Sequence, residues 1–146
     1  EGEPAEWRRV MTTDLDGAFW TARAAIPYVV ARRGAVIFIS SVGADMTGPY
    51  GAPYHVAKAG VNALTKVLAK EVASAGVRVN CIAPGIVRSD MGDRLLRFYG
   101  DAILQSVPLG RAGEPVDIGR AAVFLASADA AWITGKVLRV DGGAWM

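Results

Sequence analysis

A run of apolar residues from Ala35 to Ile39 is the feature that most constrains the fold. It reads Ala-Val-Ile-Phe-Ile and lies between Gly34 and the pair Ser40–Ser41. Because both faces of such a segment are apolar, it is typical of a strand buried on both sides within a parallel sheet. Parallel strands need crossover connections, which are usually helices. The run therefore predicts an α/β chain in which helices cover a parallel sheet.

Helical and β-branched segments alternate along the remaining sequence. Apolar residues at helical spacing and glycines at the segment ends predict helices over about 4–33, 54–75 and 117–127. Two β-branched runs, at 77–83 and 136–140, predict further strands. Residues 43–53, rich in glycine and proline, predict a loop. Residues 86–110 fit either a mobile amphipathic flap or an ordinary surface helix.

Three strands are too few for a complete doubly wound sheet, which normally has five or more strands. The glycine-rich turn that holds phosphates in the first βα unit, G-x-G-x-x-G, does not occur in these 146 residues. The sequence therefore predicts a Rossmann-like α/β fold of which residues 1–146 are the carboxyl-terminal, catalytic part of a single domain. We expect these residues to belong to a longer protein; the alternative is a truncated gene product.

Composition excludes several other classes of protein. With 52% hydrophobic and 21% charged residues, the chain has enough apolar surface to offset the entropy of ordering, which excludes a disordered chain. The net charge of +2 includes no basic block of the kind that binds nucleic acid, and no apolar run reaches the roughly 18 residues of a membrane span. One cysteine and one histidine argue against a metal centre built from those ligands and fit a reducing compartment, so we expect a cytoplasmic protein.

Tyr54 and Lys58 form the most informative pair of side chains. Residues four apart lie on one face of a helix, so we expect the Lys58 ammonium close to the Tyr54 phenol. An adjacent cation favours the phenolate, which makes the phenol a usable general acid or base near neutral pH. Taken alone, the Tyr-x-x-x-Lys pattern fits a solvated surface pair better than a catalytic pair. Three further segments reverse that preference.

The first segment is the end of the strand predicted over 35–39. Ser41 follows this strand and lies 13 residues before Tyr54. Side chains at the carboxyl ends of parallel strands face the crevice in which such sheets bind their ligands. Ser41 is therefore expected to face the same crevice as the phenol.

The second and third segments follow the other predicted strands. The strand over 77–83 ends at Pro84–Gly85, which lets the backbone pass close to a flat ligand. Val87 and Ser89 come next and offer a backbone amide and a hydroxyl group. The strand over 136–140 is followed by Asp-Gly-Gly.

With these motifs the sequence resembles the short-chain dehydrogenase/reductase family. The resemblance covers nearly the whole chain, and the order and spacing of its motifs are highly specific. These motifs are Ile-Ser-Ser at 39–41, Tyr-x-x-x-Lys at 54–58, Val-Asn-x-x-Ala-Pro-Gly at 79–85 and Asp-Gly-Gly at 141–143.

The resemblance implies a role for each matching residue. Ser41 would orient and polarise a substrate carbonyl, and Tyr54 would pass a proton to or from its oxygen. Lys58 would favour the phenolate and hold the ribose of a nicotinamide cofactor, NAD or NADP. Residues from about 90 to 109 would correspond to a variable substrate loop. The cofactor-binding residues would be Tyr54, Lys58, Pro84, Gly85, Val87 and Ser89.

Asp14 departs from the family pattern. Family members usually carry an asparagine seven residues after a tryptophan, where it holds a water molecule of a proton relay. Here that tryptophan is Trp7 and the position holds Asp14. An aspartate also accepts a hydrogen bond from water, but its charge opposes formation of the phenolate at Tyr54. We therefore expect Asp14 to belong to the site and to lower activity; the alternative is a solvated residue remote from it.

The resemblance thus predicts an NAD(P)-dependent oxidoreductase that interconverts a carbonyl and a secondary alcohol. A 3-oxoacyl-thioester reductase-like enzyme is favoured, so the expected substrate is a small carbonyl or alcohol compound, a class that includes acyl thioesters. Enoyl-thioester reductases fit less well because the tyrosine is present. The competing hypothesis is an inactive fragment that acts at most as an oligomerisation scaffold.

Two expectations concern neighbouring residues. His55, a variable position within Tyr-x-x-x-Lys, is expected to face solvent. Small residues recur on one face of the helix over 54–75, which suits packing against the sheet or against a second copy. The resemblance implies the latter, in a homodimer or homotetramer. These small residues are Ala57, Ala59, Gly60, Ala63 and Val67.

Overall fold

A computed structural model describes residues 3–46 and 51–145 and contains one parallel sheet. Its strands are β1 (Ala35–Ile39), β2 (Arg78–Pro84) and β3 (Val137–Val140), in the order β1-β2-β3. Ala35 is opposite Arg78, and Cys81 is opposite Val137. The α/β class and all three predicted strands are confirmed, with strand ends shifted by one residue.

Six α-helices and a π-turn connect and flank the strands in the described part of the chain. The helices are α1 (Pro4–Met11), α2 (Gly17–Val30), α3 (Ala52–Val72), α4 (Asp90–Tyr99), α5 (Asp101–Gln105) and α6 (Pro115–Ala126). Short 3₁₀ turns lie at Val42–Ala44, Ala73–Ala75 and Ala128–Ala130. No helix among the described residues is long and apolar enough to cross a membrane.

The helix predicted over 4–33 is interrupted by a wider turn. Thr12–Asp16 forms a π-turn that joins α1 to α2 while the helical dihedral angles continue through Met11 and Gly17. Single π-turns inside α-helices are rare and frequently occur at functional sites. A Cβ atom built on Gly60 of α3 would lie 2.9 Å from both δ-carbons of Leu15, so the two segments pack in close contact.

The core lies between the sheet and the helices α2 and α3. Val61 and Leu68 of α3 pack in one buried cluster with Val79 and Cys81 of β2 and with Ala22 of α2. Cys81 is fully buried, as the sequence predicts, and burial raises the pKa of its thiol. A buried thiol of this kind is an inert packing group.

Burial on both faces is found for β2 and not for β1. β2 is the central strand, and five of its seven residues are buried. Among the described residues β1 pairs only with β2, and Ile39 at its carboxyl end is 48% exposed. The prediction that β1 is buried on both sides was therefore wrong, because the apolar run lies at an edge of the sheet in this part of the chain.

Asn80 fastens β2 to the segment that leads into β3. Its side chain is fully buried; Nδ2 donates to the carbonyl oxygen of Ile133 at 2.8 Å, and Oδ1 accepts from the backbone nitrogen of Lys136 at 3.0 Å. The backbone nitrogen of Gly135 donates to the carbonyl oxygen of Val79 at 2.7 Å. The Asn80 amide therefore bonds two backbone groups in the segment just before β3, which begins at Val137.

The sequence left the segment over 86–110 open and predicted a loop over 43–53. Residues 90–105 form the surface helices α4 and α5, with Phe98 85% exposed. The loop predicted over 43–53 is shorter than expected, because a 3₁₀ turn precedes it and α3 begins at Ala52. The rest of that predicted loop, residues 47–50, lies outside the described residues.

Candidate active site

A cleft of about 490 Å³ lies at the carboxyl ends of β1 and β2. This is the edge at which open α/β sheets bind their ligands. All eight residues that the sequence singles out line this one cleft: Asp14, Ser41, Tyr54, Lys58, Pro84, Gly85, Val87 and Ser89. The apolar side chains of Ile39, Met91 and Ile118 complete its walls.

Tyr54 and Lys58 meet on the first turns of α3. Gly51, with φ at 82°, precedes the helix, and its carbonyl oxygen accepts hydrogen bonds from the backbone nitrogens of Tyr54 and His55. The Lys58 ammonium nitrogen lies 5.6 Å from the centre of the Tyr54 ring. The helical spacing thus brings the cation against the phenol, as the sequence predicts.

The Lys58 ammonium also pairs with Asp14. Its nitrogen lies 3.1 Å from a carboxylate oxygen of Asp14, and the two side chains are 14% and 28% exposed, respectively. It also donates to the carbonyl oxygen of Ile39 at 3.5 Å. Asp14 belongs to the π-turn, so that turn carries a negative charge into the cleft. Asp14 is therefore not remote from the cleft, and its contact is with the lysine itself.

Ser41 is held at the end of β1 by its own local turn. Its hydroxyl oxygen accepts a hydrogen bond from the backbone nitrogen of Gly43 at 3.0 Å. The preceding Ser40 is buried, and its hydroxyl donates to the carbonyl oxygen of Lys58 at 2.9 Å. Ser40 thus ties the end of β1 to α3, while the hydroxyl of Ser41 has no such bond to the helix.

The end of β2 passes close to the end of β3. A Cβ atom built on Gly85 would lie 2.8 Å from the Cα atom of Asp141, so any larger residue would push the strand ends apart. The Asp141 carboxylate accepts from the backbone nitrogens of Gly143 and Trp145 at 3.0 and 3.1 Å. The Asp-Gly-Gly ending therefore forms a tight turn that supports the Pro84–Gly85 wall of the cleft.

Ser89 has a structural task that the sequence did not reveal. It is the N-cap of α4, and its hydroxyl oxygen accepts from the backbone nitrogen of Gly92 at 3.1 Å. The same hydroxyl donates to the carbonyl oxygen of Val87 at 3.2 Å. The hydroxyl donor is therefore used locally, and only a remaining lone pair is available toward the cleft.

The prediction that His55 faces solvent was wrong. This histidine is partly buried, and its Nδ1 lies within hydrogen-bonding distance of the carbonyl oxygen of Gly43. Its ring meets that of Tyr54 edge to face, with centroids 6.0 Å apart. No sequence signal indicated the contact between His55 and Gly43, because these residues are twelve positions apart and neither their spacing nor their residue types suggest it.

Comparison with known proteins places this geometry in a family. Residues 1–144 match the family described as enoyl-(acyl carrier protein) reductase. A 3-oxoacyl-(acyl-carrier-protein) reductase of Chlamydia trachomatis is 45% identical over 139 residues, which cover 94% of this chain and 56% of the relative. A related reductase of Staphylococcus epidermidis is 42% identical over 142 residues, covering 97% of this chain and 58% of the relative.

Two solved structures have the same fold. One, from Agrobacterium tumefaciens, is assigned as a 2-deoxy-d-gluconate 3-dehydrogenase with bound NADP. It is 38% identical with a TM-score of 0.92, and the match covers 99% of this chain and 60% of that structure. The other is a 3-oxoacyl-(acyl-carrier protein) reductase of Brucella melitensis, 32% identical with a TM-score of 0.93, over 100% of this chain and 55% of that structure.

The chain spans a little more than half the length of the relatives and structures it matches. Within that span the match is nearly continuous, and it confirms the resemblance inferred from the motifs at 39–41, 54–58, 79–85 and 141–143. The chain therefore belongs to the short-chain dehydrogenase/reductase family and is similar to its 3-oxoacyl-(acyl-carrier-protein) reductases.

Proposed function

We propose that these residues form the catalytic part of an NAD(P)-dependent oxidoreductase that interconverts a carbonyl and a secondary alcohol. One observation carries the proposal: Ser41, Tyr54 and Lys58 come from two elements and line one cleft at the carboxyl edge of the sheet. A hydroxyl donor, a titratable phenol and a cation are the groups that carbonyl reduction requires around the reacting oxygen.

Each side chain has a distinct task in this proposal. Tyr54 donates its phenolic proton to the carbonyl oxygen during reduction and takes it back during oxidation. Ser41 holds the same oxygen through its O–H group, because its own oxygen accepts from the backbone nitrogen of Gly43 and its hydrogen is left to donate. Lys58 brings a positive charge to the cleft, 5.6 Å from the centre of the Tyr54 ring, where it stabilises negative charge that develops at the reacting oxygen.

The cleft suits a nicotinamide cofactor, which supplies or accepts the hydride when it is bound. Ile39, Pro84 and Val87 offer an apolar wall for a flat ring, and Lys58, which lines the same cleft, would bind ribose hydroxyls. Ser89 retains an acceptor lone pair for a carboxamide. NADP is bound by the Agrobacterium tumefaciens relative, which supports NADP or NAD for this chain.

An acyl thioester is the favoured substrate class, because the relatives named above reduce 3-oxoacyl groups on acyl carrier protein. The matching family model is described by an enoyl reductase, whose substrate is a carbon–carbon double bond. The pairing of Ser41 with Tyr54 favours a carbonyl, since both hydroxyl groups can bond one oxygen.

The surface of α3 supports a further part of the proposal, an assembly of two or four copies. Ala57 is fully buried and Gly60 packs on Leu15, so this part of the small-residue face is used within the chain. Val67 is 52% exposed, and Ala59 and Ala63 are exposed as well. These residues offer a flat apolar strip to a second copy.

The direct test is turnover by the full-length protein that contains these residues. NADPH and NADH are each mixed with a 3-oxoacyl thioester and with a 2-enoyl thioester, and loss of the nicotinamide absorbance is followed. We expect oxidation with the 3-oxoacyl substrate only. Turnover of the enoyl substrate alone would contradict carbonyl reduction. Absence of both turnover and cofactor binding would instead favour the inactive scaffold.

Asp14→Asn is expected to increase activity. The carboxylate 3.1 Å from the Lys58 ammonium offsets part of the positive charge that this lysine brings to the cleft. Asparagine keeps the shape and an acceptor oxygen but removes the charge. The value of kcat should therefore rise, by up to about fivefold for a partly exposed ion pair. The measurement is kcat at saturating cofactor and substrate.

Asp16→Asn is the matched control, since Asp16 lies in the same π-turn and is exposed. This control should leave kcat unchanged. A large fall in kcat for Asp14→Asn would refute the charge argument and would mean that the carboxylate has a role of its own.

A further inference from the structure

His55 and Ser41 are connected through a single buried glycine. The Nδ1 atom of His55 contacts the carbonyl oxygen of Gly43, and the backbone nitrogen of Gly43 donates to the hydroxyl oxygen of Ser41 at 3.0 Å. A Cβ atom built on Gly43 would lie 3.2 Å from both of these side-chain atoms. The histidine ring and the serine hydroxyl therefore close around the Cα atom of Gly43.

The chemistry of the carbonyl determines which atom donates. A carbonyl oxygen only accepts, so the Nδ1 atom of His55 carries the hydrogen in this contact. This requirement is met by the Nδ1–H tautomer and by the imidazolium. The ring also lies beside Gly51, since a Cβ atom built there would be 3.8 Å from Cδ2 and from Nε2 of His55.

The glycine explains why a tie is needed. Gly43 has no side chain, so the two peptide groups that meet at its Cα atom rotate more freely than at any other residue. The hydrogen bond to Ser41 belongs to one of these groups. The other is held at both ends, by His55 at the Gly43 carbonyl oxygen and by the bond that the Ala44 nitrogen donates to the carbonyl oxygen of Ser41 at 3.0 Å. When the peptide group that carries the Gly43 carbonyl is fixed, rotation about Gly43 is restricted. The Gly43 N–H group therefore stays directed at the Ser41 hydroxyl.

We propose that His55 is a positioning residue that orients the Ser41 hydroxyl through Gly43. The inference rests on the proposed function, because it concerns the serine that holds the substrate oxygen. With the serine oxygen accepting from Gly43, its O–H group is left to donate toward the cleft. His55 therefore acts on the reacting oxygen without touching it, from the position directly after Tyr54.

The test compares three substitutions of His55 in the full-length protein. His55→Ala should lower kcat by about tenfold, the order of one hydrogen bond, while the affinity for the nicotinamide cofactor stays the same. His55→Asn should restore most of kcat, because its amide nitrogen is the same number of bonds from the backbone as Nδ1. His55→Gln should stay low, because its amide nitrogen lies one bond further out.

A double-substitution cycle with Ser41 separates positioning from general support of the fold. In a Ser41→Ala background, His55→Ala should cause no further loss, because its effect passes through the missing hydroxyl. Where that background has no measurable turnover, hydrogen exchange at the Gly43 amide decides, and it should be faster in His55→Ala. Val56→Ala, at a position 46% exposed on the same turn, is the control and should leave kcat unchanged.

Each other outcome has a distinct meaning. An unchanged kcat in His55→Ala, in a protein that Tyr54→Phe inactivates, would overturn this inference and leave the proposed function intact. Additive losses in the Ser41→Ala background, unchanged exchange at Gly43, or an equal loss in Val56→Ala would also overturn it. Full turnover in Tyr54→Phe would instead refute the proposed function itself.

Discussion

Tyr54→Phe is expected to lower kcat by about a hundred- to ten-thousandfold, the usual contribution of a general acid or base. Phenylalanine keeps the ring that lines the cleft and lies 5.6 Å from the Lys58 ammonium, so only the transferable proton is lost. Cofactor affinity should therefore stay close to that of the unchanged protein. The measurements are steady-state turnover and a titration of cofactor binding by tryptophan fluorescence.

Tyr28→Phe is the matched control for this substitution. Tyr28 lies on α2, is 70% exposed and does not line the cleft. Its hydroxyl should be dispensable, with kcat unchanged. Turnover in Tyr54→Phe equal to that of the control would rule out the phenol as proton donor. A parallel loss of cofactor binding would show that the hydroxyl holds the cofactor as well.

Asn80→Ala is expected to have the largest effect on stability. The side chain is fully buried and bonds the carbonyl oxygen of Ile133 and the backbone nitrogen of Lys136. Alanine would leave two partly buried backbone groups without these partners, at up to about 1–3 kcal/mol for each. The free energy of unfolding of the full-length protein should fall by about 2–5 kcal/mol, measured by denaturant titration.

The chain contains one other asparagine, Asn62, which provides the control. It is also buried, but the partner described for its oxygen is the thiol of Cys81 at 3.8 Å, a weak donor. Asn62→Ala should therefore cost about 1 kcal/mol or less. Equal losses for the two substitutions would mean that the Asn80 bonds add nothing beyond the packing of an amide in the core.

The order of helices and strands could be predicted because it depends on local patterns. β2 and α3 were found within about three residues of their predicted ends, since apolar periodicity and the glycine at position 76 act over short distances. The burial of these elements was predicted less accurately than their order. The apolar run of β1 indicates a strand, but whether both faces are covered depends on what lies beside it in the sheet.

The candidate site divides in the same way. Tyr54 and Lys58 could be placed together because residues four apart on a helix must lie on one face. Ser41 and Gly85 could be placed at the same edge because the carboxyl ends of parallel strands meet there. These predictions follow from the geometry of regular elements, so the sequence by itself determined that these four residues share one cleft.

Only the tertiary structure decided how those members are bonded. The ion pair between Asp14 and Lys58 depends on the π-turn between α1 and α2, which no local pattern indicates. The contact of His55 with Gly43, twelve residues apart, likewise requires the chain to be folded. Such bonds join groups whose separation is set by packing, and sequence spacing carries no record of it.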